Sequence, residues 1–154
     1  MTGSPAISSP SSSTQCAVNT RMPFPDLREG DVFFLDLTGH TGKSANTMKD
    51  PHRIVIVMNQ RKLDNPGHKT IVCVPITSVG PALWDTVNQR PRVQSHHCIS
   101  AGKYRELRYD SLVKCEHIYT INREFFTDYR FTLDDQDLRE IRVRMVNIIG
   151  YGNF

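Results

Sequence analysis

A small, largely antiparallel β-barrel of SH3-like size, mainly β with a C-terminal helix, is the fold this sequence predicts. Three observations carry the prediction. Short apolar runs rich in β-branched residues recur along the chain, turn residues rather than helical stretches separate them, and sustained helical periodicity is confined to the C-terminus. No βαβ alternation and no internal repeat is visible. The 154 residues, 38% hydrophobic and 23% charged, suit one compact domain with some tail.

Residues 1–22 are rich in Ser and Pro and nearly free of large apolar side chains, which predicts a disordered tail ahead of a domain over 23–154. A turn at 26–30 leads to a first strand over 31–37 (DVFFLDL). Residues 38–51 (TGHTGKSANTMKDP) lose all pattern and read as a long functional loop. The Gly42-Lys43-Ser44 within it is no phosphate loop, because Leu37 stands where that motif needs its first glycine. A second strand is expected over 52–59 and a third over 70–78, with Asn65-Pro66-Gly67 turning between them. The third strand is the centre of the pattern: residues 71–78 (IVCVPITS) read as a strand covered on both faces that delivers two hydroxyls, Thr77 and Ser78, to an edge.

Residues 79–92 are irregular around Trp84, read as a core cap, and carry Arg90 and Arg92. Residues 93–100 (VQSHHCIS) form another strand, and 103–109 a basic and aromatic connection with Lys103, Tyr104, Arg105, Arg108 and Tyr109, the content of a phosphate-and-base surface or of a solvated hairpin. Residues 111–121 (SLVKCEHIYTI) read as one strand. Thr132-Leu133-Asp134-Asp135 has the form of a capping box. Leu138, Ile141, Met145, Ile148 and Ile149 then repeat at helical spacing until Gly150 stops the helix.

The net charge of +3 permits a nucleic-acid partner without requiring one. No apolar run reaches the roughly 18 residues of a membrane span and no signal core is present, so no membrane association and a cytoplasmic location are expected. The four cysteines, Cys16, Cys73, Cys98 and Cys115, are widely spaced and read as free thiols. A metal site at His96, His97 and Cys98 is disfavoured, since alternation splits these residues between two strand faces; solvated histidines are the preferred reading. Cys73 and Cys115 lie in apolar strands, which disfavours a thiolate nucleophile. No cofactor is expected.

What remains is Arg53, Thr77, Ser78, Lys114 and Glu116, with His40 and His52 in or beside the long loop. Cleaving an RNA phosphodiester without a metal needs a base for the 2′-hydroxyl proton, an acid for the 5′-oxygen, and donors or cations for charge developing on phosphorus. This group can fill those roles. The structural alternative is that Lys114 and Glu116 are a same-face pair on a strand and that Thr77 and Ser78 merely end another.

The order of the pieces adds information. Gly30-Asp31-Val32-Phe33, His52-Arg53-Ile54-Val55, Val74-Pro75-Ile76-Thr77-Ser78 and the stretch from Asp110 through Lys114, Glu116 and His117 to Ile121 together resemble the MazF/PemK family of toxins from toxin-antitoxin pairs. The resemblance runs from about Asp26 to Gly150. It implies a homodimeric SH3-like barrel that cleaves single-stranded RNA, leaving a 2′,3′-cyclic phosphate, and that a cognate antitoxin protein inhibits. Arg53 then matches a catalytic, phosphate-binding arginine, Thr77 the catalytic threonine and Ser78 the small hydroxyl residue after it. Lys114 and Glu116 align with an arginine and aspartate assigned as acid and base. Asp31, His40, His52, Arg90, Arg92, Lys103, Arg105 and Arg108 are the further expected RNA contacts. Ile54 replaces the family's proline, and Lys114 and Glu116 keep charge sign but change reach. A gyrase-inhibiting protein on the same fold, like the CcdB toxins, and a binding module with decayed catalysis are the alternatives.

Overall fold

A computed structural model describes residues 26–37 and 51–150. The expected Ser-rich tail, the long loop and its His40 lie outside the described residues. Strands β1 (Asp31–Leu35), β2 (His52–Ile56), β3 (Thr70–Ser78), β6 (His96–Ile99), β7 (Ser111–Lys114), β8 (Tyr119–Asn122) and β9 (Tyr129–Thr132) form one antiparallel sheet in the order β6-β7-β3-β2-β1-β9, with β8 also pairing β3. The sheet curls into a half-barrel, as the sequence predicts. A short hairpin, β4 (Trp84–Asp85) with β5 (Arg90–Pro91), stands apart, and helices α1 (Gln60–Leu63) and α2 (Asp135–Ile149) complete the fold. Among the described residues no helix is long and apolar enough to cross a membrane.

β3 is the axle. Its first half pairs with β8 and its second half with β7, while β2 lies along its other side. Alternating apolar side chains therefore face two cores. Val74 and Ile76 join Val32, Val55, Val113, Leu138 and Ile141 beneath α2, and Ile71 and Cys73 join Phe33, Ile54, Ile56, Leu63 and Phe126 on the opposite face. Burying β-branched residues on both faces is what commits this segment to a central strand. Pro75, which has no N–H to give to a ladder, falls where β3 changes partner: the β8 register ends at Cys73 and the β7 register begins at Ile76.

That change of partner corrects one expectation. Residues 111–121 are not a single strand. The chain breaks at a turn over Cys115 and Glu116, where the His117 N–H donates to the Lys114 carbonyl at 3.0 Å, and resumes as β8. Two residues of β3, Val74 and Pro75, thus stand against residues 114–118, an interruption of the ladder on that edge. Strand β9, the α1 turn and the β4–β5 hairpin were not predicted.

Helix α2 begins two residues later than a Thr132 cap implies. Asp134 is the N-cap, its carboxylate accepting the Asp137 N–H at 2.9 Å, while Thr132 belongs to β9 and donates to Asp31 Oδ1 at 2.7 Å. Gly150 ends the helix at φ 95°, as expected. Leu138 and Ile141 are buried and Met145 packs beside them, but Ile148 and Ile149 are exposed at 43% and 71%, so the apolar stripe leaves the core in the last turn. Arg142 clamps the helix to the sheet by donating to the Val57 and Met58 carbonyls.

Candidate active site

The register decides which candidate residues share a face. Ile76 of β3 stands opposite Arg53 on one side and Val113 on the other, Thr77 is opposite Leu112, and Ser78 is opposite Ser111. Side chains alternate along a strand, so Arg53, Ser78 and Ser111 lie on the face that carries α2. Continuing the same register puts His52 beside Thr77 on the reverse face. Lys114, two residues on from Leu112, shares that reverse face as a diagonal neighbour of Thr77. The candidates form two adjoining groups rather than one.

On the helix side, Arg53 is half-buried and its Nη2 donates to Ser111 Oγ at 3.4 Å. Ser111 is fully buried and passes its own proton to the Tyr109 carbonyl at 3.0 Å. Burial, followed by the nearby charge of Arg130, holds the Arg53 guanidinium below its ordinary value. Among the described residues no carboxylate pairs with Arg53. A cation so placed presents its donors to an anion. Ser111 is a member of the site that sequence reading passed over. Its only signal was a polar residue heading an apolar run opposite Ser78.

On the reverse face, Lys114 stands directly opposite His96 of β6 and, among the described residues, pairs with no carboxylate. The turn at Cys115 and Glu116 swings the Glu116 carboxylate onto the same neighbour. Its Oε2 lies 2.8 Å from His96 Nε2 and its Oε1 accepts from Ser95 Oγ at 2.9 Å, with His117 Nε2 3.4 Å away. Burial acts to raise the Glu116 carboxyl, but hydrogen bonds from its own backbone N–H, His96 and Ser95 outweigh it and keep it below the ordinary carboxylate value. Glu116 is therefore ionised at neutral pH while part of its side chain remains exposed.

The histidines are thus not solvated. His96 is 3% exposed on the reverse face, and His97 faces α2, where its Nε2 lies 2.8 Å from Asp137 Oδ1. The basic connection is also partly spoken for. Lys103 is held by Asp134 at 2.6 Å and Asp137 at 3.0 Å, and Tyr104 is buried with its hydroxyl donating to Asp137. Arg105, Arg108 and Tyr109 remain exposed, as do Arg90 and Arg92 near the β4–β5 hairpin. Asp31 is buried, accepting from Thr132 and from the Arg28 N–H, and serves the packing of β1 on β9. Ile54, at the position of the family's proline, is wholly buried in the reverse-face core. Burial disfavours the thiolate at Cys73 in β3 and at Cys115 in the turn after β7, raising the first and pushing the second up to about 12.

The model of the PemK-like, MazF-like toxins of type II toxin-antitoxin systems matches residues 28–149. Among solved structures, an endoribonuclease in complex with its cognate antitoxin, from a mycobacterial species, superposes with a TM-score of 0.58 at 17% identity, covering 81% of this chain and 96% of that one. MazF from Deinococcus radiodurans gives 0.57 at 14% identity, with 82% and 97% covered. The Mycobacterium tuberculosis toxin MazF-mt6 gives 0.55 at 12%, with 77% and 95% covered. At such identities the likeness is one of fold. No curated protein sequence matches the chain. The family model spans most of the chain, and the chain belongs to the PemK-like, MazF-like toxins of type II toxin-antitoxin systems.

Proposed function

We propose that this toxin is an endoribonuclease that cleaves single-stranded RNA by attack of a 2′-hydroxyl on the adjacent phosphorus, without using a metal. The observation that carries the reading is an ionised, partly exposed Glu116 carboxylate on His96, the cross-strand neighbour of Lys114, which pairs with no carboxylate among the described residues, with Thr77 on the same face. Glu116 accepts the 2′-hydroxyl proton as the 2′-oxygen bonds to phosphorus. Lys114 stabilises the charge that develops there and protonates the departing 5′-oxygen, leaving a 2′,3′-cyclic phosphate and a 5′-hydroxyl. Thr77 donates to a non-bridging oxygen. Arg53, on the helix side with Ser78 and braced by the buried Ser111, holds the phosphate backbone, and Arg90, Arg92, Arg105 and Arg108 add affinity. The activity is opposed by a cognate antitoxin, and the working form is a homodimer.

The test is incubation of the full chain with mixed-sequence single-stranded RNA in excess EDTA, beside Arg53→Ala and Glu116→Gln, with analysis of fragment ends. Fragments ending in 2′,3′-cyclic phosphate from the unmodified protein, lost in Glu116→Gln and reduced in Arg53→Ala, are the expected result. RNA left intact by the unmodified protein overturns the reading, and wild-type rates in Glu116→Gln overturn its assignment as base.

A further inference from the structure

The buried His96 ring has one nitrogen on Glu116 and one on nothing. Nε2 lies 2.8 Å from Glu116 Oε2, whereas Nδ1 is buried without a hydrogen-bond partner among the described residues. A buried N–H left without an acceptor is costly, while a lone pair facing apolar atoms costs less. The arrangement therefore suits a ring whose Nε2 carries a proton and donates it to the carboxylate. We infer that His96 is the positioning residue of Glu116, fixing the carboxylate in place by a single directed N–H bond from within the sheet.

The inference rests on the reading of Glu116 as the base, and two features give it reach. First, Glu116 sits in a turn and not in a strand, so no ladder fixes its direction; His96 and Ser95, both on the β6 side, hold one oxygen each and define the plane of the carboxyl group. Second, Lys114 is the direct cross-strand neighbour of His96, so the residue that holds the base stands beside the cation of the site, and among the described residues no ion pair joins Lys114 to Glu116. The other charged groups about the pair are His117, 3.4 Å from Glu116 Oε2, and, behind the sheet on α2, Arg144, which is held by Glu140 at 2.8 Å.

Three variants of the full chain test this: His96→Leu, which removes the donor; His96→Gln, whose amide reproduces the Nε2 donor; and Ser95→Ala, which releases the other oxygen. Two readouts are needed, the titration of the Glu116 carboxyl by NMR and the pH profile of RNA cleavage. In His96→Leu the Glu116 titration moves to higher pH, the acid limb of kcat moves with it, and kcat at neutral pH falls about 10- to 100-fold with KM within twofold. His96→Gln restores most of each, and Ser95→Ala shifts both less. If His96→Leu does not fold, His96→Asn, polar but too short to reach the carboxylate, takes its place. An unchanged Glu116 titration overturns the inference whatever the rate. A shifted titration in a protein whose unmodified form cuts no RNA upholds the coupling and overturns the nuclease reading alone.

Discussion

His96 and His97 are adjacent in the chain, and each sets Nε2 2.8 Å from a carboxylate, yet the two pairs do different work. Asp137, on the helix side, takes three donors from two parts of the fold, His97 on β6 and Lys103 and Tyr104 on the connection after it, while its own helix is capped by Asp134. Its side chain is 12% exposed. Glu116, on the reverse face, takes Ser95 and His96 from one short stretch and keeps 29% of its side chain exposed. In both, burial acts to raise the carboxyl and hydrogen bonds overcome it. The lesson is that a lowered carboxyl value alone does not mark a site. A carboxylate saturated from several elements is a tie between them, and one held from a single side retains acceptor capacity for a substrate.

Four experiments break or sharpen this contrast. The largest effect belongs to Glu116→Gln, which removes proton acceptance and lowers kcat for RNA by about 10²- to 10⁴-fold, while Asp137→Asn leaves kcat per folded molecule within about twofold. Steady-state cleavage with folded fractions measured separately decides it. Stability reverses the order. Asp137→Ala leaves Tyr104 and His97 without their acceptor and Lys103 with Asp134 alone, and lowers the unfolding free energy by about 3 kcal/mol in urea titration, whereas Glu116→Gln costs less than about 1 kcal/mol.

The pH dependence follows from the same tie. Asp137 is held below the ordinary carboxylate range in the folded protein, so its stabilising contribution is complete above the unfolded value of about 4 and is lost as pH falls through the folded value. Melting temperature against pH should decline on the acid side, and Asp137→Asn should flatten that decline. The smallest effect concerns Arg53, outside both pairs. Arg53→Ala is expected to weaken binding to single-stranded RNA and to reduce the slope of log affinity against log salt by about 0.7, the share of one phosphate contact, as read by fluorescence anisotropy at several salt concentrations.

Much of this was legible in the sequence because it rests on short-range pattern. The continuous apolar run of 71–76, rich in β-branched residues, predicts a doubly covered strand, and β3 has the predicted bounds. The spacing of Leu138, Ile141 and Met145 likewise gave α2. What escaped depends on register or on distant partners. Nothing near Cys115 marks a break, since the turn there exists to let β3 exchange β7 for β8. Thr132 fits a cap by spacing, but pairing with β1 claims it for β9. His96 looked like a surface histidine because its partner lies 20 residues away, and Ser111 looked like a strand start because Arg53 lies 58 residues away. The split of the candidate residues between two faces follows from which residue of β3 stands opposite Arg53, a fact that no local pattern encodes.

The position of β3 between β2 on one side and β7 and β8 on the other carries a consequence for how the molecule opens. A strand laddered along both edges releases its amides only when the sheet as a whole comes apart, so the amides of 71–77, Pro75 having none, should be among the slowest in the protein to exchange with deuterium. Thr77 is anchored in that slow core, whereas the Glu116 turn, with neither edge laddered, belongs to the fast-exchanging population. One half of the constellation is then a fixed reference and the other an adjustable arm, and any ligand that steadies the arm should be visible as slowed exchange at 115–118 with no change along β3.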